Sequence, residues 1–290
     1  QRQMCIRDRS IHRKVYDSQE GNGMPFLMRR SVQMKFVYLG GIMNLSEFFR
    51  ENPKAAVAFS GGVDSAYLLY AAKAAGADVR AYYVKSAFQP QFELEDAKRL
   101  ARKLGVGMKI LTADVLAAGD VAKNPPDRCY HCKKLLFKAV SEAAQGDGYS
   151  LLLDGTNASD EENDRPGMRA LRELSVRSPL RECSVTKEEV RRLSKEAGLF
   201  IWNKPAYACL ATRIPVGEQI TEEKLGATEA AEDYLHSLGF TDFRVRKYGE
   251  AARIQLPAKQ LSLAITKREQ IMTGLKRYYQ AVLLDLEARE

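Results

Sequence analysis

Two groups of residues in this 290-residue chain have types and spacing suited to chemistry. The first is Ser60-Gly61-Gly62-Val63-Asp64-Ser65. Two consecutive glycines let the backbone turn with its N–H groups facing a phosphate, and a helix that follows adds the positive end of its dipole. Ser60 and Ser65 can donate hydroxyl hydrogen bonds. Asp64 would repel a phosphate directly, so it suits holding magnesium or orienting the loop. A plain strand-to-helix turn is the bland alternative, but this flanking order is far less common than a Gly-Gly turn. The second group is Cys129, Cys132 and Cys209. The first two lie at i, i+3 where a helix begins, so both thiols can leave one face, and Cys209 comes from a distant loop. Three such thiolates could bind a [4Fe-4S] cluster with one iron free of protein, or zinc with an open fourth position. A redox disulfide and plain helix thiols are the rival readings of Cys-x-x-Cys.

The elements around these residues follow from periodicity. Lys54 to Phe59 reads as a short apolar strand entering the glycine turn, and Ala66 to Ala75 as the helix leaving it. Val79 to Val84 reads as a second strand, Glu93 to Leu104 as a helix, Met108 to Thr112 as a third strand, Tyr130 to Ala144 as a helix, and Tyr149 to Asp154 as a fourth strand. Such alternation predicts an α/β fold, a parallel sheet with helices on both faces and ligands at the carboxyl ends of the strands. Thr186 to Ala197 opens with a capping box and is closed by Gly198. The α/β domain is expected to span 43–205. Beyond it, 206–290 predicts a smaller C-terminal α+β domain: a helix from Glu222 to Leu238, strands at Phe243 to Lys247 and Ala252 to Leu256, a helix from Lys259 to Arg277 and a strand at Ala281 to Leu286.

Composition narrows the class. The 45% hydrophobic content is ordinary globular chemistry, and no run approaches the ~18 apolar residues of a membrane span. Residues 1–42 lack sustained periodicity, and Gln3-Met4-Cys5-Ile6-Arg7-Asp8 looks like a translated sequencing adapter. Met43 is the expected natural start, with the preceding residues a non-native extension. They carry +5 of the formal net charge of +8, which leaves the body only +3. So small a charge makes no case for a nucleic-acid surface. Four cysteines outside that segment, with no signal peptide, suit metal binding or catalysis in the cytoplasm better than disulfides.

The phosphate loop lacks the Gly-Lys-Ser/Thr of the P-loop and the three-glycine dinucleotide fingerprint. It resembles the PP-loop ATP pyrophosphatases, which cleave ATP to AMP and pyrophosphate while adenylating an acceptor. Asn124-Pro-Pro-Asp-Arg-Cys-Tyr-His-Cys-Lys-Lys134, Leu153-Asp-Gly-Thr-Asn157, Asp164-Arg-Pro-Gly167, Ser178-Pro-Leu180 and Lys204-Pro-Ala-Tyr-Ala-Cys-Leu-Ala-Thr-Arg213 follow in that order. Together they resemble the LarE family of ATP-dependent sulfur transferases, which make the thiocarboxylates of the nickel-pincer nucleotide used by lactate racemase. The resemblance implies ATP and Mg2+ as cofactors and pyridinium-3,5-biscarboxylic acid mononucleotide as the small-molecule substrate. It makes Cys209 the sulfur-handling residue, with Asp64 the acidic residue of the ATP site. One branch of the family sacrifices the sulfur of that cysteine and leaves dehydroalanine. The additional Cys129 and Cys132 look like the other branch, in which three cysteines hold a [4Fe-4S] cluster supplied from sulfide or a cysteine desulfurase.

The same resemblance places Asp154, Asn157 and Arg165 beside the nucleotide, and Glu232 near the sulfur site. Arg213, Arg244 and Arg246 could hold the substrate phosphate, the last two from one face of a strand, although a solvated strand face reads equally well. His131, between the cysteines, would point away from their shared face. Cys183 suits a small filler, and Trp202 suits loop packing. A cluster-dependent tRNA thiolase is the nearest alternative enzyme, but it would need a basic surface the body does not supply. An ATP-binding module with structural zinc is the non-enzymatic alternative. A homo-oligomer is compatible with either.

Overall fold

The computed structural model describes residues 44–160 and 166–289. The expected extension, and Arg165, lie outside the described residues. In chain order the main elements are Leu45–Glu51 (α1), Lys54–Ala58 (β1), Val63–Ala74 (α2), Asp78–Lys85 (β2), Gln91–Leu104 (α3), Gly107–Thr112 (β3), Gly119–Ala122 (α4), Arg128–Gly146 (α5), Leu152–Leu153 (β4) and Pro166–Glu173 (α6). Pro179–Glu182 (α7), Lys187–Glu196 (α8), Glu222–Ser237 (α9), Arg244–Tyr248 (β5), Ala251–Gln255 (β6), Leu261–Thr266 (α10), Arg268–Leu275 (α11) and Ala281–Leu284 (β7) complete them.

Strands β1 to β4 form one sheet in the order β3-β2-β1-β4. All three pairings are parallel, as the alternation of strands and helices requires. Strand β2 sends Tyr83 and Tyr82 to opposite faces, following the period of two. Tyr83 joins the core formed with Leu68, Leu69 and Leu100, and Tyr82 joins the one formed with Val140 and Ala144. Helices therefore cover both faces. The strand order reverses direction beside β1, so the segments after β1 and β4 emerge together, which is where such sheets bind ligands.

The C-terminal part packs α9, α10 and α11 against a three-stranded sheet in the order β5-β6-β7. Its first pairing is antiparallel and its second parallel. Two expected elements differ. The helix from Lys259 to Arg277 is divided at Lys267, where φ −95° and ψ 14° leave the helical basin. Neither Gly nor Pro stands there. The Lys267 ammonium is tied to the Leu238 carbonyl at 2.8 Å, so a tertiary bond at the end of α9 accompanies the bend. The fourth strand contracts to Leu152–Leu153, because Asp154 N–H already donates to Arg177 O at 2.9 Å rather than continuing the ladder.

Candidate functional site

The phosphate loop is built by short-range bonds. Ser65 Oγ donates to Gly62 O at 3.3 Å and accepts from Ser60 N–H at 3.3 Å. Gly62 N–H donates to Ser60 Oγ at 3.3 Å, and the two hydroxyl oxygens are 3.2 Å apart. Gly61 has φ +76°, and a Cβ there would stand 3.2 Å from Ala97 Cβ and 3.3 Å from Glu93 O. Both the dihedral and the crowding demand glycine. No side chain caps α2. Its first N–H groups and its dipole are thus available to an anion.

The segment after β4 comes against this loop. A Cβ on Gly155 would lie 2.7 Å from Ser65 N, so only glycine permits the approach. Asn157 Nδ2 donates to Asp64 Oδ1 at 3.2 Å, and Lys187 Nζ pairs with Asp64 Oδ2 at 2.5 Å. Asp64 is thereby oriented by residues 93 and 123 positions away. Asp154 is buried and turned inward, accepting from Ser178 Oγ at 2.6 Å and from Thr156 Oγ1 at 2.5 Å. It shapes the turn that carries Asn157.

A cavity of ≈ 250 Å³ opens where the strands end, and both Ser60 and Cys209 line it, together with Phe59, Tyr82, Phe88 and Glu93. Burial pushes the Glu93 carboxyl up, against the opposing pull of Lys204, whose ammonium lies 3.4 Å from Glu93 and 2.8 Å from Asp96. Beyond Tyr207, which borders both spaces, a second cavity of ≈ 540 Å³ is lined by Phe92, Lys204, His236, Glu232 and Arg244 among others.

The three cysteines occupy one neighbourhood. Cys129 is exposed in the first turn of α5, and Cys132, one turn on, packs with Cys209 against the small core of Phe88, Leu210 and Ile214. Burial pushes the Cys132 thiol up to about 12, and the nearby Cys209 and Cys129 add to the shift. Burial raises Cys209 as well, while the Arg128 guanidinium pulls it back. Among the described residues, no group of three or more His, Cys, Asp or Glu is arranged to hold a metal ion. His131 turns to Asp127 at 3.2 Å. Cys183 stays with the sheet core, half-buried. Trp202 lies under the Lys195 ammonium at 4.7 Å.

Arg213 and Glu232 meet each other. Arg213 Nε and Nη2 donate to the Glu232 carboxylate at 2.8 and 3.1 Å, and both side chains are buried. Glu232 also accepts from Tyr207 Oη at 2.6 Å and from Val245 N–H at 3.0 Å. Arg244 donates to Phe243 O at 2.6 Å and to Ala206 O, and lines the larger cavity. Burial, then the Arg213 charge, lowers its pKa to about 10. Arg246 donates to Gln255 Oε1 at 2.6 Å and Thr212 O at 2.5 Å. The two arginines singled out on β5 are thus joined to the cysteine turn through backbone carbonyls. Sequence reasoning missed Lys187, Glu93 and Tyr207 as site residues. Lys187 carried only the signal of a capped helix, and nothing local linked it to Asp64.

A parallel α/β sheet with an uncapped Ser-Gly-Gly-x-Asp-Ser turn at its switch point defines a PP-loop, ATP-utilising class of protein. A sequence profile described as "Queuosine biosynthesis protein QueC" matches residues 54–122. An uncharacterized protein of Synechocystis sp. is 38% identical over 84% of this chain and 92% of its own length. A pyridinium-3,5-bisthiocarboxylic acid mononucleotide synthase of Lactiplantibacillus plantarum is 35% identical over 80% of this chain and 86% of its own. The chain belongs to the family of that synthase, the LarE family. A tRNA-specific 2-thiouridylase of Fervidobacterium nodosum, 27% identical, matches 52% of this chain and 54% of its own length.

Proposed function

We propose that this chain uses ATP to adenylate the carboxylates of pyridinium-3,5-biscarboxylic acid mononucleotide and replaces the activated oxygen with sulfur. The observation that carries the reading is the single cavity lined by both Ser60 and Cys209. A carboxylate repels nucleophiles and offers only an oxide leaving group. Its oxygen would attack the α-phosphorus and expel pyrophosphate, which the Gly61-Gly62 turn and the α2 N-terminus would receive. Sulfur then attacks the acyl carbon, and AMP departs with the bonding electrons. Repetition gives the bisthiocarboxylate.

Mg2+ accompanying ATP would be held by the phosphates and Asp64, the carboxylate within the loop. Residues 43–205 form the nucleotide half of this reading, with Asn157 orienting Asp64, and 206–290 the sulfur-transfer half. Arg165 would join the nucleotide side. Arg244 fits a substrate phosphate from the larger cavity, while Arg213, Arg246 and Glu232 hold the turn that presents Cys209.

By donor type, the three thiols of Cys129, Cys132 and Cys209 suit a [4Fe-4S] cluster, although the described residues do not preform a metal site. When bound, such a cluster would supply a transferable sulfide from the iron without a protein ligand. Structural zinc would require a closed set of ligands, and His131 is engaged with Asp127 instead. A thiolase acting on tRNA shares the nucleotide half, but the +3 body offers no strong electrostatic surface for RNA. No helix among the described residues is long and apolar enough to cross a membrane. The four free cysteines among the described residues suit a cytoplasmic setting and a sulfide or desulfurase source.

The test is substrate-dependent pyrophosphate release, followed by mass detection of the thiocarboxylate. Wild-type pyrophosphate release from a well-folded Gly61→Val, Gly62→Val protein would remove the nucleotide assignment. Intact-protein mass then separates the sulfur routes. Loss of the mass of hydrogen sulfide from Cys209 after one event would establish sacrifice, whereas repeated turnover with Cys209 intact supports the cluster route.

A further inference from the structure

Cys209 and the Cys129/Cys132 pair come from distant parts of the sequence, so something must fix the distance between them. Two buried polar residues, Asn124 and Arg128, span the gap. Arg128 Nη1 donates to Ala211 O at 3.1 Å, two residues beyond Cys209, and also to Asn124 Oδ1. Its Nη2 lies 3.7 Å from Cys129 Sγ. Asn124 Nδ2 in turn donates to Ile214 O at 3.3 Å and Pro215 O at 2.7 Å, and Gly217 N–H donates to Asn124 O at 2.8 Å. Asn124 adopts φ 55°, a left-handed conformation that asparagine tolerates better than most residues.

We infer that Arg128 and Asn124 are positioning residues, a two-part clamp that seats the Cys209 turn on the cysteine-bearing end of α5 and so sets the separation of the three thiols. A planar guanidinium reaches the asparagine amide, the Ala211 carbonyl and the Cys129 sulfur at once, which a lysine ammonium on a flexible stem does not reproduce. The other holds on the turn come from different directions. Leu210 N–H donates to Phe88 O at 2.9 Å, and Arg213 Nε donates to Glu232 Oε1 at 2.8 Å. Those bonds join the turn to the sheet side and to α9. Only the Asn124–Arg128 pair, among the described side chains bonded to the turn, comes from the segment that carries Cys129 and Cys132. The inference rests on the sulfur-transfer reading for the purpose of the three thiols, not for the clamp itself.

The test needs neither ATP, iron nor substrate. Reduced, metal-free full-length protein is treated to completion with a short bismaleimide, so that slow reaction of the buried thiols does not set the yields, and the linked peptides are mapped by mass spectrometry. The Cys129–Cys132 link lies within one helix and serves as the internal reference for links from that helix to Cys209. In Arg128→Met and Arg128→Lys, loss of a charge-assisted clamp should lower the helix-to-Cys209 fraction roughly tenfold relative to the reference. General unfolding would instead make the mapped thiols react indiscriminately, Cys183 included. Asn124→Gly suits the left-handed backbone and keeps the fold testable should the Arg128 variants not fold; it should lower the fraction as well. A wild-type ratio in Arg128→Lys or in Asn124→Gly would overturn the clamp. A lowered ratio in a chain that transfers no sulfur would leave the clamp standing and reject the proposed function. An unchanged ratio in a chain that does transfer sulfur would do the reverse.

Discussion

The two ends of the Ser60–Cys209 cavity are constructed in different ways. At the nucleotide end, the turn is closed by bonds among residues no more than five positions apart. At the sulfur end, the Cys209 turn hangs on Arg128, Asn124, Glu232, Arg244 and Arg246, bonded across sequence separations from 19 to 91. A local turn is specified by its own glycines and hydroxyls. The sulfur end exists only once the Cys209 turn is bonded to both α5 and β5. Its integrity should therefore respond to mutations far from any thiol.

The strongest probe of that contrast is Glu232→Ala, which leaves the buried Arg213 guanidinium without its carboxylate and should cost about 3–5 kcal/mol. Urea unfolding should show the loss as a lowered midpoint. An effect confined to below about 1 kcal/mol would mean that the sulfur end is not held by this pair.

The thiols give a pH-dependent prediction. With the Cys132 pKa moved from 9.0 to about 12 by burial, its thiolate fraction near pH 8 falls roughly thousandfold. Iodoacetamide should therefore modify Cys132 much more slowly in the folded, metal-free chain than in urea. The sign follows from the neutral thiol being favoured in the folded state, so the folded rate should keep climbing with pH beyond 9. Equal folded and unfolded rates at pH 8 would refute the burial.

Gly61→Val tests the nucleotide end, because a β-branched side chain at φ +76° meets Ala97 and the Glu93 carbonyl. We expect a stability loss of about 1–3 kcal/mol together with loss of substrate-dependent pyrophosphate release. The helix-to-Cys209 crosslink should stay unchanged, since the sulfur end is held independently. The smallest effect belongs to Thr186→Ala. It removes the capping box of α8, with Glu189 N–H to Thr186 Oγ1 at 3.3 Å, and should cost about 1 kcal/mol in thermal or urea unfolding. A further drop in pyrophosphate release would show that the position of α8 reaches Asp64 through Lys187.

Much of the fold was legible because its signals are local. Apolar alternation marked β1, β2 and β3 to within a residue or two, and Thr186 with Glu189 marked the start of α8. Gly198 at φ +67° follows the helix it was expected to close. The division at Lys267 was not legible, because the break has no Gly or Pro and coincides with a contact to Leu238. Among the candidate residues, Arg213 and Glu232 were singled out separately. Only the tertiary structure turns them toward each other.

The sequence by itself determined the phosphate turn, the parallel sheet that presents it and the set of cysteines available for sulfur chemistry, since glycines, hydroxyls, thiols and apolar periodicity act over a few residues. The tertiary structure alone decided that Lys187 and Asn157 orient Asp64, that Arg128 joins Cys129 to the Cys209 turn, and that Ser60 and Cys209 face one cavity. The hydrogen bonds from Arg128 to Ala211, Asn157 to Asp64 and Lys187 to Asp64 join residues 83, 93 and 123 positions apart. Charge and hydrogen bonding act through space, so no local pattern encodes them until packing has closed the distance.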